Sequence, residues 1–491
     1  MNKPPRHLTV DSCYTEKPVK TVELPESRIV TIVDEASGES SGDSLVTLLT
    51  LHEHDRICEI LSVETQGSQL RPETGDFQRI ICPIPVFKPL SVLLESYRYD
   101  PKTWPPERVV HFVCSRNSGF RYSEAFFDQA FSPLLSELGK RKGVDYHVHY
   151  TESEHTITEL ARDLWIPAAK DGVSLSEQAS QHVVLLSGDG GVIDLINSFY
   201  TNVSPDAHIR QPFLTILPFG TGNALSNTLN YTSDDTYGLR TWLQGSHRPL
   251  PVFRATFSPG ARLVVNEGRD LEPITTREQV PAMYGGVVCS WGLHAALVGD
   301  SDTAYYRKFG SERFMMAAKA LLNPEDGTGP HHFRGKVSLL DPDTREWDAI
   351  PRATHSYILA TMVSQLEKGF MISPDSQKLD GKMRIVEMPP LSGDELMSII
   401  TGAYSGGTHV QDSRVGYREI DGMLIELGED EDDKWRRVCI DGKIVLIEKG
   451  GWLKVVMEDR KLIQVVYKPS IHSDPDFVDV RSAENVIQIS L

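Results

Sequence analysis

The chain has 491 residues, of which 40% are hydrophobic and 24% are charged, and its formal net charge is −18 at pH 7. This length exceeds the usual size of one hydrophobic core and predicts two or three domains, while the acidic excess argues against a nucleic-acid partner, which needs clustered Lys and Arg to neutralise phosphates. No stretch approaches the roughly 18 apolar residues of a membrane span and no secretory signal is recognisable, so we expect a cytoplasmic protein.

Short β-prone runs predict a small, mainly β module over residues 1–105. The runs TVELPESRIVTIVDE and RICEILSVETQ flank the Ser/Gly-rich, acidic segment SGESSGDS, which is typical of a loop. Near the end of this module Pro101, Pro105 and Pro106 restrict the backbone and indicate a linker.

Residues 106–250 alternate between apolar strands and amphipathic helices. VVHFVCS, VDYHVHYT, QHVVLLS and FLTILP are strand-like, and the segments between them have helical spacing. Such alternation implies a sheet that is buried on both faces, which is the α/β arrangement. We therefore predict an α/β domain here.

Beyond residue 250 the helices thin out and short strands dominate. SERFMMAAKALL is the one helix that we expect among them, and the acidic run Glu429 to Asp433 is most simply a solvated loop. Residues 251–491 are therefore predicted to form an antiparallel β-sandwich.

Cysteine spacing indicates no metal or disulfide framework. The six cysteines show no CxxC pairs, which suits a reducing compartment, and we expect them to be packing residues. They are Cys13, Cys58, Cys82, Cys114, Cys289 and Cys439.

The pentad SGDGG at residues 187–191 lies where a buried strand ends and a helix begins. Glycines at such a turn let backbone N–H groups converge on an anion, aided by the helix dipole. Asp189 is the unusual member, because a carboxylate beside phosphate needs a bridging cation or a task of its own, such as taking a proton from an attacking hydroxyl. An Asp-Gly turn that merely begins a helix is the alternative interpretation.

A second turn of the same kind follows in ILPFGTGNALSNTLN, where Gly220-Thr221-Gly222 comes after a strand and Asn223 opens a helix. Two such turns after successive strands should lie side by side at the ligand-binding edge of the sheet. Neither turn is a Walker A motif or GxGxxG, which argues against a P-loop ATPase and a dinucleotide dehydrogenase.

The order of SGDGG, PFGTGNALSNTLN, SWG, DSDTAYYRKFGSERF and IDGK resembles the lipid kinases of the diacylglycerol kinase catalytic superfamily, most closely the sphingosine, or sphingoid long-chain base, kinases. The resemblance covers residues 108–468. It implies an α/β nucleotide-binding domain, a β-sandwich lipid-binding domain, and a lipid that enters between them.

By this resemblance Asp189 is the general base that deprotonates a lipid primary hydroxyl for attack on the γ-phosphate of ATP. Asp300 is implied as the contact to the amine and hydroxyl of a sphingoid base. Arg307 and Arg313 are implied as phosphate-binding residues, although their six-residue spacing alone is typical of surface or ion-pair arginines. The implied nucleotide-side residues are Ser187, Gly188, Gly190, Asp194, Gly220, Thr221, Gly222, Arg307, Arg313, Asp441 and Gly442.

Three departures from the family pattern leave a catalytically inactive relative as an alternative. The first nucleotide loop, Ser115 to Ser123, keeps only Gly119 of the glycine pattern, Thr156 stands where a His is common, and Lys443 replaces a Glu after Asp441-Gly442. Because Asp189 and both glycine turns are present, we predict an active kinase that uses ATP and Mg²⁺. Its expected partners are a sphingoid lipid and, peripherally, a membrane; ceramide and diacylglycerol are the rival acceptors.

Overall fold

The computed structural model describes residues 108–119, 121–132, 135, 146–165, 180–203, 209–231, 238, 241–242, 245–274, 276, 280–309 and 312–467, together with five strands closer to the N-terminus. The proline-rich linker and residues 37–42 of the Ser/Gly-rich loop lie outside the described residues.

The five N-terminal strands form an antiparallel sheet in sequential order. Their number and pairing agree with the mainly β module predicted for this part of the chain. The strands are β1 (Lys20–Glu23), β2 (Ile29–Val33), β3 (Asp43–His54), β4 (Ile57–Gln66) and β5 (Phe77–Pro83).

The second sheet has six strands in the order β10-β28-β9-β8-β6-β7. Strands β6 to β9 pair in parallel, β28 is parallel to β9, and β10 is antiparallel to β28. Val183 to Leu186 in β8 are almost fully buried, as expected for a sheet covered on both faces. The strands are β6 (Arg108–Cys114), β7 (Tyr146–Tyr150), β8 (Ser180–Ser187), β9 (Phe213–Pro218), β10 (Ser246–Pro249) and β28 (Gln464–Tyr467).

Strand β28 departs from the predicted division of the chain. Residues 464–467 fall within the predicted C-terminal domain, yet Gln464 pairs with Phe213 and Val465 with Leu214 in the α/β sheet. The chain thus returns from the β-rich region to complete the first sheet.

Helices flank the α/β sheet and interrupt the β-rich region. The predicted helix in SERFMMAAKALL is present as α7, while α5, α6 and α8 are additional to it. The helices are α1 (Ser123–Phe126) with a π-helical turn at Phe127–Phe131, α2 (Thr156–Trp165), α3 (Asp189–Asn202), α4 (Ala224–Thr228), α5 (Leu293–Ser301), α6 (Ala304–Arg307), α7 (Glu312–Leu322) and α8 (Gly393–Thr401). Short 3-10 helices occupy Asn266–Gly268, Gly402–Tyr404, Thr408–Gln411 and Asp433–Arg436.

Two antiparallel sheets make up most of the C-terminal region, which confirms the predicted class of α/β plus all-β. The first has the order β14-β11-β27-β24-β16-β17, with β18 on β16, and the second has the order β13-β12-β26-β25-β15-β19-β22-β23, while β20 and β21 pair in a separate two-stranded sheet. The strands are β11 (Phe253–Phe257), β12 (Arg262–Val265), β13 (Asp270–Pro273), β14 (Ala282–Gly285), β15 (Val288–Gly292), β16 (Phe333–Leu340), β17 (Trp347–Ala349), β18 (Thr354–His355), β19 (Tyr357–Thr361), β20 (Gln365–Glu367), β21 (Phe370–Met371), β22 (Met383–Met388), β23 (Gly416–Ile420), β24 (Gly422–Leu427), β25 (Arg437–Ile440), β26 (Lys443–Leu446) and β27 (Trp452–Met457).

The core between these two sheets includes Trp291 of β15, which is fully buried. Its ring lies 5.8 Å from that of Phe333 in the opposing sheet, and its Nε1 donates to the carbonyl oxygen of Trp435 at 3.1 Å. Trp291 is thus a packing residue with its one polar atom satisfied. Cys114, Cys289 and Cys439 are buried and free, in agreement with a packing role.

The acidic run Glu429 to Asp433 is predicted to be solvated, but one of its residues is buried. Glu431 is buried, and its carboxylate accepts from the Arg334 backbone N–H at 2.8 Å and Nε at 3.1 Å and lies 3.0 Å from His331 Nε2. A buried carboxylate needs such partners, which come from β16 and the residues before it. Among the described residues no helix is long and apolar enough to cross a membrane.

Candidate active site

The two glycine turns meet at the carboxyl edge of the α/β sheet. Strand β8 leads into Gly188 and α3, while β9 leads into Gly220, and the two strands pair in parallel. A Cβ atom on Gly188 would lie 2.7 Å from the Gly220 Cα, and one on Gly220 would lie 2.3 Å from the Gly188 Cα. The turns therefore lie side by side, as their order in the sequence predicts, and glycine at both positions makes the contact possible.

The altered first loop still packs against these turns. Gly119 has a φ of +50°, and a Cβ atom there would lie 2.4 Å from the carbonyl oxygen of Phe219. Ser118 Oγ accepts a hydrogen bond from the Gly188 N–H at 3.1 Å. The loop at residues 115–119 thus keeps a place beside the second turn despite its loss of glycines.

Asp189, the first residue of α3, also caps the helix after the second turn. Its carboxylate accepts from the backbone N–H of Ala224 at 2.7 Å and of Leu225 at 3.2 Å. Burial raises the pKa of Asp189 above its ordinary value, and the two backbone donors oppose that shift. The predicted base is therefore held rigidly between the two turns. Its capping role escaped the sequence analysis because the partners are 35 residues away.

The second turn is fixed by Asn223, whose φ is +55°. Its Oδ1 accepts from the Gly220 N–H at 2.7 Å, and its Nδ2 donates to the Gly220 carbonyl oxygen at 2.8 Å. Thr221 and Gly222 are half-buried beside it. Gly190, in contrast, is exposed, and a Cβ atom there would meet nothing within 4 Å. Open space therefore lies over the first turn of α3.

Asp441 and Gly442 form the two-residue turn of the β25–β26 hairpin. Their φ values of +46° and +89° are those of a type I′ turn. The Asp441 carboxylate is buried and accepts from the N–H groups of Gly286, Val287 and Val288 at 2.6 to 3.2 Å. Burial raises the pKa of Asp441 to about 7, and the Asp189 charge contributes to this shift. The implied nucleotide-side Asp-Gly is thus close enough to Asp189 for their charges to interact.

Lys443 begins β26 directly after this turn. Its Nζ lies 2.9 Å from Oδ1 of Asp194 in α3. Burial raises the pKa of Asp194, the Lys443 ammonium opposes the shift, and the Glu154 charge adds to it. The structure therefore brings the implied residue Asp194 together with the lysine that departs from the family pattern.

Arg307 and Arg313 converge on Asp302. Arg307 makes a bidentate contact, with Nε 3.1 Å from Oδ1 and Nη2 2.8 Å from Oδ2, and Arg313 Nη1 lies 3.4 Å from Oδ1. The convergence is possible because α6 ends at Arg307 and α7 begins at Glu312, so the two arginines are not on one continuous helix. Sequence reasoning missed Asp302, which holds both guanidinium groups.

Glu154, just before α2, carries a charge that acts on implied site residues in two parts of the chain. The hydrogen bonding of Arg307 to the Asp302 carboxylate is the main cause of the raised pKa of Arg307, and the Glu154 charge adds to it. The same Glu154 acts on Asp194 in α3. The implied phosphate-binding Arg307 and the implied nucleotide-side Asp194 are therefore both affected by the charge of this one carboxylate.

Asp300 lies apart from the arginine pair, in α5. Its carboxylate contacts Lys434 Nζ at 3.1 Å and Arg437 Nη1 at 3.4 Å. The carboxylate implied for the lipid amine thus already has two cationic partners within the chain.

The described residues contain no group of three or more His, Cys, Asp or Glu side chains that could hold a metal ion. Asp189 accepts from two N–H groups and Asp194 is paired with Lys443. These residues do not form a magnesium site of their own. Mg²⁺ would fit here as a companion of the nucleotide, since in kinases it is commonly held by substrate phosphates and waters together with one or two carboxylates.

Residues 110–255 match the family model of the diacylglycerol kinase catalytic domain. The match covers less than a third of the chain, shows that this part is similar to that catalytic domain, and supports a kinase. No protein of curated function matches the chain.

Solved structures align with low identity. A crystal structure of a diacylglycerol kinase from Bacillus anthracis str. Sterne is 14% identical, with 76% of this chain and 98% of that chain covered and a TM-score of 0.43. Another crystal structure from the same strain is also 14% identical, with 76% of this chain and 97% of that chain covered and a TM-score of 0.48. The crystal structure of yeast NADH kinase complexed with NADH is 11% identical, with 74% of this chain and 85% of that chain covered and a TM-score of 0.37. At these values the alignments assign no substrate.

Proposed function

We propose that the protein transfers the γ-phosphoryl group of ATP to the primary hydroxyl of a lipid, and that the lipid is a sphingoid long-chain base. The observation that carries the proposal is the Asp189 carboxylate, which lies between two contacting glycine turns at the carboxyl edge of the α/β sheet. The match of residues 110–255 to a kinase domain supports the same reaction type.

In this reaction the lipid hydroxyl oxygen attacks the γ-phosphorus, the bond to the β–γ bridging oxygen breaks, and ADP leaves. Asp189 accepts the hydroxyl proton. Its two backbone donors use two of the roughly four acceptor positions of a carboxylate, so a hydroxyl can still bind. The raised pKa of Asp189 makes it a stronger base than an exposed aspartate.

The nucleotide phosphates would lie over the exposed Gly190, at the start of the 14-residue helix α3. Arg307 and Arg313 would supply positive charge. Because Asp302 already orients both guanidinium groups, little ordering is needed when phosphate binds. Catalysis would then consist mainly of positioning and charge stabilisation, as is usual for phosphoryl transfer.

The acceptor is the finer part of the proposal. A sphingoid base carries an ammonium beside the reacting hydroxyl, whereas ceramide carries a neutral amide and diacylglycerol carries neither, so a carboxylate contact favours the first. Asp300 is the proposed contact. Since Lys434 and Arg437 already contact it, the ammonium must share its oxygens with them or displace one of them.

A membrane contact would give the enzyme access to such a lipid. Tyr305, Phe309 and Met315 are exposed by 59%, 37% and 43%, and Lys308 between them is exposed and cationic. Aromatic rings beside cations suit an anionic membrane surface. Sedimentation with phosphatidylserine-containing vesicles tests this surface: Phe309→Glu should reduce binding, while Trp347→Glu, at a similarly exposed ring in β17, should not. Equal binding of both variants would contradict the contact.

The proposed function is tested by incubating purified protein with labelled ATP and, separately, sphingosine, phytosphingosine, ceramide and diacylglycerol. Labelled product from the first two is expected. If only ceramide or diacylglycerol gives product, the sphingoid base is not the acceptor, but the protein is still a lipid kinase. No product from any lipid would favour the catalytically inactive relative, which the altered loop at residues 115–123 suggests as the second candidate.

A further inference from the structure

We infer that Lys443 supplies a fixed positive charge to the nucleotide phosphates, so that this protein binds a nucleoside diphosphate or triphosphate without a divalent cation. The inference rests on the proposed function, because it assigns a ligand contact within the same site. It concerns how the phosphate charge is neutralised, which the roles of Asp189 and the arginines leave open.

The position of Lys443 follows from the backbone around it. It is the first residue after the tight Asp441-Gly442 turn, and three backbone N–H groups hold the Asp441 carboxylate. The turn therefore presents Lys443 from a rigid hairpin. Its Nζ reaches Asp194, which is five residues into α3, the helix whose first residue is Asp189. The ammonium thus lies beside the helix whose N-terminal turn would receive the phosphates.

The salt bridge to Asp194 leaves donor capacity on the Lys443 ammonium. Lys has three N–H donors, and the contact to Asp194 Oδ1 uses one of them. The Lys443 side chain is 31% exposed, whereas that of Asp194 is 19% exposed, so solvent reaches the pair mainly from the side of the lysine. A phosphate oxygen can bind there while Asp194 continues to hold the ammonium.

The carboxylates around the site are already engaged by the protein. Asp189 and Asp441 accept backbone N–H groups, Asp194 binds Lys443, and Asp302 binds the two arginines. A divalent cation bound by any of these carboxylates would have to share its oxygens with an N–H donor or a cationic side chain. In contrast, Lys443 and Arg307 can bind a phosphate while their carboxylate partners stay in place.

The experiment measures ADP binding by isothermal titration calorimetry, once with Mg²⁺ and once with excess EDTA. Wild-type protein is expected to bind ADP in both conditions. Lys443→Met should weaken binding in EDTA about tenfold to hundredfold, as for loss of a charged hydrogen bond. Lys382→Met is the matched control, because Lys382 makes a 2.9 Å ion pair with Glu419 in another part of the molecule; its ADP affinity should equal that of the wild type.

Lys443→Met also leaves Asp194 without its partner, so a double variant separates the two effects. Asp194→Asn/Lys443→Met removes both charges and keeps the local net charge unchanged. If Lys443 contacts phosphate, the double variant still binds ADP in EDTA at least tenfold more weakly than the wild type. Wild-type affinity of the double variant would overturn the inference. Thermal denaturation of each variant verifies that it is folded.

The outcomes also separate this inference from the proposed function. Wild-type binding of ADP with Mg²⁺ but not in EDTA overturns the role of Lys443 and leaves the kinase proposal standing. Absence of ADP binding in both conditions overturns both.

Discussion

The backbones of Gly188 and Gly220 are in direct contact, although the two residues follow different strands. Even a single Cβ atom on Gly220 would lie 2.3 Å from the Gly188 Cα. Gly190, two residues from Gly188, has no atom within 4 Å of the place a Cβ would occupy. Glycine is thus required by packing at 188 and 220, whereas at 190 the fold leaves room that we assign to the nucleotide.

This contrast makes position 190 a test of the nucleotide site. Gly190→Asp should fold normally, because its side chain enters open space, but should lose nucleotide binding, because a carboxylate would face the phosphates. Gly190→Ala is the size control and should keep most of the affinity. The measurement is protection from thermal denaturation by ATP. Full protection of Gly190→Asp would mean that the nucleotide binds elsewhere.

The contact of Arg307 with Asp302 allows the proposed phosphate-binding role of Arg307 to be tested. Arg307→Gln should lower kcat/KM for ATP about tenfold or more, since one charge-assisted phosphate contact is lost. Stability should change by no more than about 1 kcal/mol, as is usual for exposed ion pairs. Arg414→Gln, which breaks the comparable exposed pair with Asp412, should leave turnover unchanged. A normal kcat/KM for Arg307→Gln would remove it from the site.

Asp300 allows the acceptor to be tested apart from the chemistry. Asp300→Asn should raise KM for sphingosine about tenfold to hundredfold and leave any activity on diacylglycerol nearly unchanged, because only the sphingoid base offers an ammonium. Steady-state kinetics with both lipids measures this. Equal losses on the two lipids would instead indicate a structural role for the contacts of Asp300 with Lys434 and Arg437.

The buried aspartates predict a pH dependence of stability. The pKa of Asp441 is raised to about 7 in the folded protein, against an ordinary value of about 3.9 in an unfolded chain. The folded state therefore retains a proton that the unfolded chain releases, and the free energy of unfolding should fall as pH rises from about 4 to 7.

Asp189→Asn should make that fall smaller, because it removes a charge that raises the pKa of Asp441 and also a second carboxyl whose own pKa is raised. Urea unfolding at pH 5 and pH 8 measures the difference, with Asp326→Asn in an exposed loop as the control. An unchanged difference in Asp189→Asn would show that the two carboxyl groups do not interact.

The parts of the site that depend on local pattern were predictable. Parallel strands place their carboxyl ends at one edge, so the pentad at 187–191 and the turn at 220–222 had to meet once β8 and β9 were neighbours. Burial of Trp291 likewise suits its large apolar ring, and all five residues of its strand β15 are buried.

The long-range pairings were not predictable from one sequence. Nothing near Asp189 indicates that its carboxylate caps a helix 35 residues later, and nothing near Lys443 identifies Asp194 as its partner. The convergence of Arg307 and Arg313 depends on a break between two helices, whereas a continuous helix would separate them. Strand β28 joins the first sheet through pairing with residues about 250 positions away, which local propensity does not encode.

Transfer of labelled phosphate from ATP to sphingosine by wild-type protein and by Asp189→Asn, measured side by side, tests the proposed mechanism most directly. The wild type should produce labelled lipid. Asp189→Asn should be slower by about 10²–10⁴-fold, because the amide cannot take the hydroxyl proton. The amide NH₂ also cannot accept one of the two N–H groups that the carboxylate accepts, so an ADP affinity close to the wild-type value is the control that the two turns are intact. Transfer by Asp189→Asn at the wild-type rate would contradict the assignment of Asp189 as the base.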